Sequence, residues 1–200
     1  MKPITDIAGS FELYNGVQMP YLGLGVWQSE EGPEVERAVT WALQAGYRHI
    51  DTASAYGNES GVGRAIRSSG VDREDVFLVS KVWNSDQGYH QTRKAFEESL
   101  ERLDTPYLDL YLVHWPVAGK FRETWRALED LYQEERIRAI GVSNFLRHHL
   151  EDLKASARIL PMVNQLEFHP YLVQQDLLDY CREYGIQYEA WSPLMQGKDF

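Results

Sequence analysis

The chain has 200 residues, 44% of them hydrophobic, with 30 acidic and 20 basic side chains and a formal net charge of −10. That is enough apolar material for one core and excludes a disordered chain, while the acidic balance argues against a nucleic-acid partner, which calls for a basic face. No run of about 18 apolar residues offers a membrane span, and Met1 to Phe11 lacks the apolar core of a secretory signal, so a cytoplasmic protein is expected.

The first predicted element is a hairpin. Phe11 to Tyr14 alternates, Asn15-Gly16 is a type I′ turn signal, and Val17 to Met19 returns, with Pro20 ending it. Short apolar runs then alternate with helical patterns, which predicts βα units and a parallel sheet. Leu22 to Val26 reads as the first strand. Its helix carries Val35, Ala38, Val39, Ala42 and Leu43 on one face and is stopped by Gly46. Tyr47 to Asp51 is the second strand, with a helix from about Glu59 to Ser69. Val76 to Lys81 is the third, followed by a helix with Thr92, Phe96, Leu100 and Leu103 on one stripe. Leu108 to His114 is almost continuously apolar, as a strand covered on both faces should be. Phe121, Trp125, Leu128 and Tyr132 mark the next helix, Ala139 to Ser143 the fifth strand, and a helix starts near Arg147. Met162 to Glu167, a helix over Gln174 to Tyr184 stopped by Gly185, and Gln187 to Trp191 complete the series.

Seven strands recur about every 27 residues with no linker between them, which fits a single domain over 1–200. An open doubly wound sheet could hold them, but polar residues sit at nearly every strand end: Asp51, Lys81, His114, Ser143-Asn144, Gln165 with Glu167, and Trp191-Ser192. In a barrel those ends converge on one mouth, so an α/β fold of the TIM (β/α)8 type with an N-terminal hairpin is expected. Only seven of its eight strands are found. The repeat puts an eighth near position 214, about 27 residues after the seventh, and Lys198-Asp199-Phe200 stops short of it. The chain is therefore expected to be a fragment of a longer protein.

Asp51, Tyr56, Lys81 and His114 form a proton-transfer set. A free tyrosine titrates near 10, too high for an effective acid at neutral pH, and a neighbouring ammonium favours the phenolate. Singly, Asp51 reads equally as a loop cap, Lys81 as a snorkelling surface lysine, His114 as a core histidine and Tyr56 as a packing residue; four together favour chemistry. Trp27, Trp83 and Trp115 follow strand ends and suit an apolar substrate pocket or rim packing. Trp41 and Trp125 lie within helices and are expected in the core or against other helices. Cys181, on an apolar helical face with Leu177, permits no internal disulfide and reads as packing. The Asn58-Glu59-Ser60 sequon reads as chance. Adjacent His148 and His149 point about 100° apart on a helix and cannot share an ion, so no metal is expected. Gly23-Leu24-Gly25-Val26-Trp27-Gln28 starts like a dinucleotide fingerprint but lacks its last glycine.

Gly46-Tyr47-Arg48-His49-Ile50-Asp51-Thr52-Ala53, with Tyr56, Asn58-Glu59 and Gly61-Val62-Gly63, resembles the first signature of the aldo-keto reductase superfamily. Leu108 to Pro116, Gly141 to Phe145, Asn164-Gln165 with Glu167 and His169-Pro170, and Trp191 to Leu194 resemble its later segments, in order from about Leu13 to Leu194. The resemblance is nearest to bacterial prokaryotic-type aldehyde reductases. It implies NADPH-dependent reduction of aldehydes and ketones by hydride transfer, with NADH as the alternative cofactor. Tyr56 would be the general acid, Lys81, held by Asp51, would depress its pKa, and His114 would orient the carbonyl. Ser143, Asn144 and Gln165 would bind the carboxamide, Trp191 would stack on the nicotinamide in place of the family's more usual tyrosine, and Ser192 and Leu194 would approach the pyrophosphate. The partner is a small carbonyl substrate, and a monomer is expected for the full-length protein. Two alternatives stand beside this: a Schiff-base lyase using Lys81, and a non-catalytic, cofactor-binding regulatory subunit.

Overall fold

The computed structural model describes residues 9–197; the terminal Lys198-Asp199-Phe200 and the start of the chain lie outside them. The hairpin pairs β1 (Ser10–Glu12) with β2 (Gln18–Pro20), Phe11 opposite Met19. Its turn differs from the type I′ expectation. Leu13 N–H donates to Val17 O at 2.9 Å, so three residues form the loop, and Gly16 alone takes positive φ, at 86°. Asn15 stays right-handed because the glycine supplies the whole left-handed step, as in a three-residue hairpin loop.

The remaining strands are β3 (Leu24–Gly25), β4 (His49–Asp51), β5 (Phe77–Val82), β6 (Leu108–Val113), β7 (Ile137–Ser143), β8 (Val163–Glu167) and β9 (Gln187–Trp191). They form one sheet in sequence order, every neighbouring pair parallel. A doubly wound sheet would reverse its order at a switch point; this one does not. The sheet also curls. Strands β4 and β8 are four places apart, about 19 Å in a flat sheet, yet Gln165 Nε2 donates to Asp51 Oδ2 at 2.9 Å. Only a cylinder brings those side chains together, so the fold is the expected α/β barrel, with seven strands among the described residues.

Helices α1 (Pro33–Gln44), α2 (Glu59–Ser68), α3 (Tyr89–Leu103), α4 (Phe121–Gln133), α5 (Arg147–Lys154) and α6 (Gln175–Glu183) follow β3 to β8 in turn. Their apolar stripes are the predicted ones: Val35, Val39, Ala42 and Leu43 on α1, Thr92, Phe96, Leu100 and Leu103 on α3, and Phe121, Trp125 and Leu128 on α4 are buried. Close packing of α2 on α3 depends on Gly63, where a Cβ would stand 2.2 Å from Leu103 O. Trp41 corrects the expectation for the helical tryptophans, being 63% exposed where Trp125 is buried. It lies two residues from Val39, about 200° around the helix, and so faces away from the sheet. Cys181 is buried as expected, with burial pushing its thiol up to about 11. No described helix is long and apolar enough to cross a membrane.

Candidate active site

The C-terminal ends of the strands gather the predicted proton-transfer set. Lys81, near the end of β5, is fully buried, and its ammonium uses all three hydrogens: to Asp51 Oδ1 at 2.5 Å, Thr52 O at 3.0 Å and Tyr56 Oη at 3.4 Å. Burial is the largest single influence and pushes this amine down, but Asp51 together with Tyr56 and Glu189 outweighs it and the net shift is upward. Lys81 is therefore a held cation and not a snorkelling surface lysine. Asp51 is fixed from its other side by Gln165.

Tyr56 sits in a short helical turn, Ser54–Tyr56, directly after β4. The turn is tied to the barrel by Ser54 Oγ, which donates to Lys81 O at 3.0 Å. The expected depression of the Tyr56 pKa is corrected here. Burial raises it by more than the Lys81 ammonium lowers it, with Asp51 adding to the rise, and the net direction is upward. The resting phenol is thus kept protonated, and the ammonium acts on charge that develops when the proton leaves.

His114 follows β6 with its ring edge-on to Trp83, at a centroid distance of 5.0 Å, and to Tyr56, at 5.8 Å. Burial, helped by Lys81, pushes its pKa down to about 3, so the imidazole is neutral and offers one N–H. Its Nδ1 has no partner among the described residues. The unfolded chain protonates this histidine first, so stability is complete above about pH 6.5 and is lost as pH falls toward 3. His114→Asn is expected to flatten that limb, which falls by about 1.4 kcal/mol for every pH unit over which only the unfolded chain takes up the proton. Thermal denaturation of both proteins across the acid range checks it; parallel curves would refute it.

The residues assigned to the carboxamide lie together but are partly engaged with one another. Ser143 Oγ donates to Gln165 O at 3.0 Å, and Asn144 Nδ2 donates to His114 O and Ser143 Oγ, both at 3.0 Å. Asn144 is left-handed, with φ 63°, and its Oδ1 accepts from Trp191 Nε1 at 3.0 Å. That bond fixes the indole beside the carboxamide group of residues. Toward a neutral amide, Gln165 offers a carbonyl acceptor and Trp191 a flat face, whereas the Ser143 hydroxyl hydrogen and both Asn144 Nδ2 hydrogens are already donated to protein acceptors. Ser192 follows β9 with φ 51°, and Leu194 is exposed. Trp27, Trp83 and Trp115 are 52%, 36% and 42% exposed, with Trp115 O accepting from Gln87 Nε2. Among the described residues no ring-to-ring pair joins the three; Trp83 pairs with His114 instead.

Other candidates have structural duties. Asn58 of the sequon is fully buried, donating to Val26 O and Ser29 O and accepting from Thr52 Oγ1, which seals it from modification and braces the loop before α2. His149 Nδ1 accepts from Leu146 N–H at the start of α5. Two residues beside the site are absent from the expected set. His49 and Glu189 lie two positions before Asp51 and Trp191, on the same inward face, and approach to 3.7 Å. Period-two alternation counted back from the mouth would have found both.

The sequence profile described as "Aldo/keto reductase family" matches residues 21–198. Glyoxal reductase of Bacillus subtilis is 59% identical over 194 residues, covering 97% of this chain and 70% of that protein. A crystal structure of an aldo/keto reductase from Brucella melitensis superposes with a TM-score of 0.91 at 50% identity, over 95% of this chain and 75% of the other. A Bombyx mori aldo-keto reductase crystallised with NADP superposes with a TM-score of 0.88 at 36% identity, over 94% and 67%.

Proposed function

The chain belongs to the aldo/keto reductase family, and on that premise we propose that it reduces small aldehydes and ketones to alcohols with NADPH, Tyr56 giving the proton. The observation that carries the reading is the buried ammonium of Lys81, bonded at once to Asp51 and to the Tyr56 hydroxyl at the barrel mouth. NADPH, when bound, supplies the hydride that adds to the carbonyl carbon. Tyr56 Oη delivers its proton to the carbonyl oxygen as negative charge builds there, and Lys81 stabilises the phenolate left behind. Neutral His114 directs its N–H at the same oxygen and fixes the carbonyl's orientation. Gln165, Asn144 and Ser143 would hold the carboxamide, with Trp191 against the ring and Ser192 and Leu194 toward the pyrophosphate.

The Schiff-base alternative is disfavoured by the same geometry. An amine whose pKa is raised by Asp51 keeps its proton and has no lone pair for attack. Glyoxal reductase among the relatives supports a small aldehyde as the substrate. The test is an initial-rate screen of aldehydes and ketones with NADPH and NADH in parallel. Cofactor oxidation that depends on the carbonyl supports the reading; cofactor binding without turnover of any reactive aldehyde refutes it in favour of a regulatory subunit.

Trp27, Trp83 and Trp115 line the pocket in this reading. Truncating any one to Ala is expected to raise KM for bulky aromatic aldehydes several-fold more than for small ones, since each large indole contributes about 1–3 kcal/mol of apolar contact. Steady-state kinetics over a graded set of aldehydes checks it. Equal effects at every substrate size would show that the indoles only pack the rim.

A further inference from the structure

Below the Asp51–Lys81 pair, the barrel interior holds a second pair of ionisable groups. Glu189 of β9 directs Oε1 at His49 Nε2 of β4, 3.7 Å away. Its Oε2 is buried without a partner among the described residues. The His49 ring is 2% exposed, packed edge-on to Phe77, with Gly23 against its other atoms. Its Nδ1 lies 3.4 Å from Pro20 O, which can only accept, so Nδ1 carries the ring hydrogen. Burial pushes the His49 pKa down, leaving the imidazole neutral. Nε2 therefore presents a lone pair to Glu189. At 3.7 Å the two are not hydrogen-bonded, and Nε2, like Glu189 Oε2, has no partner among the described residues; a carboxylate facing that lone pair is repelled, and a neutral carboxyl is not.

We propose that Glu189 is a positioning residue that carries a proton beside His49, and that losing this proton weakens Tyr56 as the acid. The proposal rests on Tyr56 being the proton donor. Burial of all but 15% of the Glu189 side chain, with Asp51 adding to it, raises its pKa to about 8 against the attraction of Lys81. Among the described residues, the charged and titratable groups around Glu189 are His49 and Asp51 from β4, Lys81 from β5 and Tyr56 from the turn after β4. Gln165, its cross-strand neighbour on β8, is neutral. The inward residues of β6 and β7, Leu110, Leu112, Ala139 and Gly141, are uncharged, as is Gly23 beside β3. With Glu189 neutral, Lys81 answers to one carboxylate. Ionised, Glu189 adds a second negative charge that acts on both Lys81 and Tyr56 and raises both pKa values. A phenol with a higher pKa gives up its proton less readily.

Glu189→Gln keeps the shape and removes the titration. The alkaline limb of the reduction rate is expected to move down by roughly one pH unit, and the alkaline rise of alcohol oxidation to begin correspondingly earlier. Infrared difference spectra of 13C-glutamate-labelled wild-type protein should show a protonated carboxyl band at neutral pH that disappears through about pH 8 and is absent from the variant. Stability supplies a further readout. The folded chain holds a proton that the unfolded chain releases near 4.5, so the wild type loses stability as pH rises from there through about 8, and the variant does not. A missing band overturns the proposal even if the variant fails to fold. So does an unmoved alkaline limb in a folded variant. If Tyr56→Phe keeps its turnover while the band titrates as described, the reductase reading fails separately.

Discussion

Tyr56→Phe is expected to lower kcat for aldehyde reduction by about 10²–10⁴-fold, the contribution of a positioned general acid. Cofactor affinity should stay within about twofold, because the hydroxyl acts on charge present only in the transition state. The structure makes this substitution clean. The phenylalanine ring keeps its edge contact with His114 at the same position. Lys81 loses one acceptor at 3.4 Å but retains Asp51 and Thr52 at 2.5 and 3.0 Å. Stability should therefore change little, and the rate loss can be assigned to the missing proton. Single-turnover kinetics alongside cofactor titration by tryptophan fluorescence separates the effects. Near wild-type turnover would move the acid elsewhere; weakened cofactor binding in proportion to the rate would make Tyr56 a binding residue.

Lys81→Met should lower both rate and stability. Removing one partner of a buried ion pair leaves the other charge uncompensated, at a cost of about 3–5 kcal/mol, and here Asp51 keeps only the Gln165 bond. The double variant Lys81→Met with Asp51→Asn should recover part of that loss, since no bare charge remains. The sign with pH follows from the raised Lys81 pKa. The pair's contribution is fully present through neutral pH and is lost only as pH climbs through the folded-state value in strong alkali. Denaturant titrations of the single and double variants measure the difference. A single variant that costs under about 1 kcal/mol, or a double variant no more stable than the single, would contradict a functioning buried pair. In kinetics, Lys81→Met should raise the pH at which reduction fails, because the ammonium no longer opposes the burial that keeps Tyr56 protonated. An unchanged pH–rate profile would break the Lys81–Tyr56 coupling.

The order of strands and helices, the inward faces of α1, α3 and α4, and the chemistry-bearing strand ends were all legible in the sequence. Each depends on local periodicity: two residues for a strand, 3.6 for a helix, and a polar residue where the strand stops. The same periodicity already separates Trp41 from Trp125, since only the second stays in register with its apolar neighbours. Local pattern does not carry distance across a barrel or the loss of water around a charge. The Gln165–Asp51 bond joins residues 114 apart in the chain, and the His49–Glu189 contact closes a similar span. Neither follows from spacing alone. The net direction at Tyr56 depends on which of two opposing effects is larger, and burial sets that balance only once the turn after β4 is packed against Lys81. The sequence thus determined which residues reach the mouth. The curled sheet decided which of them touch, and how far their surroundings exclude the solvent that would otherwise screen them.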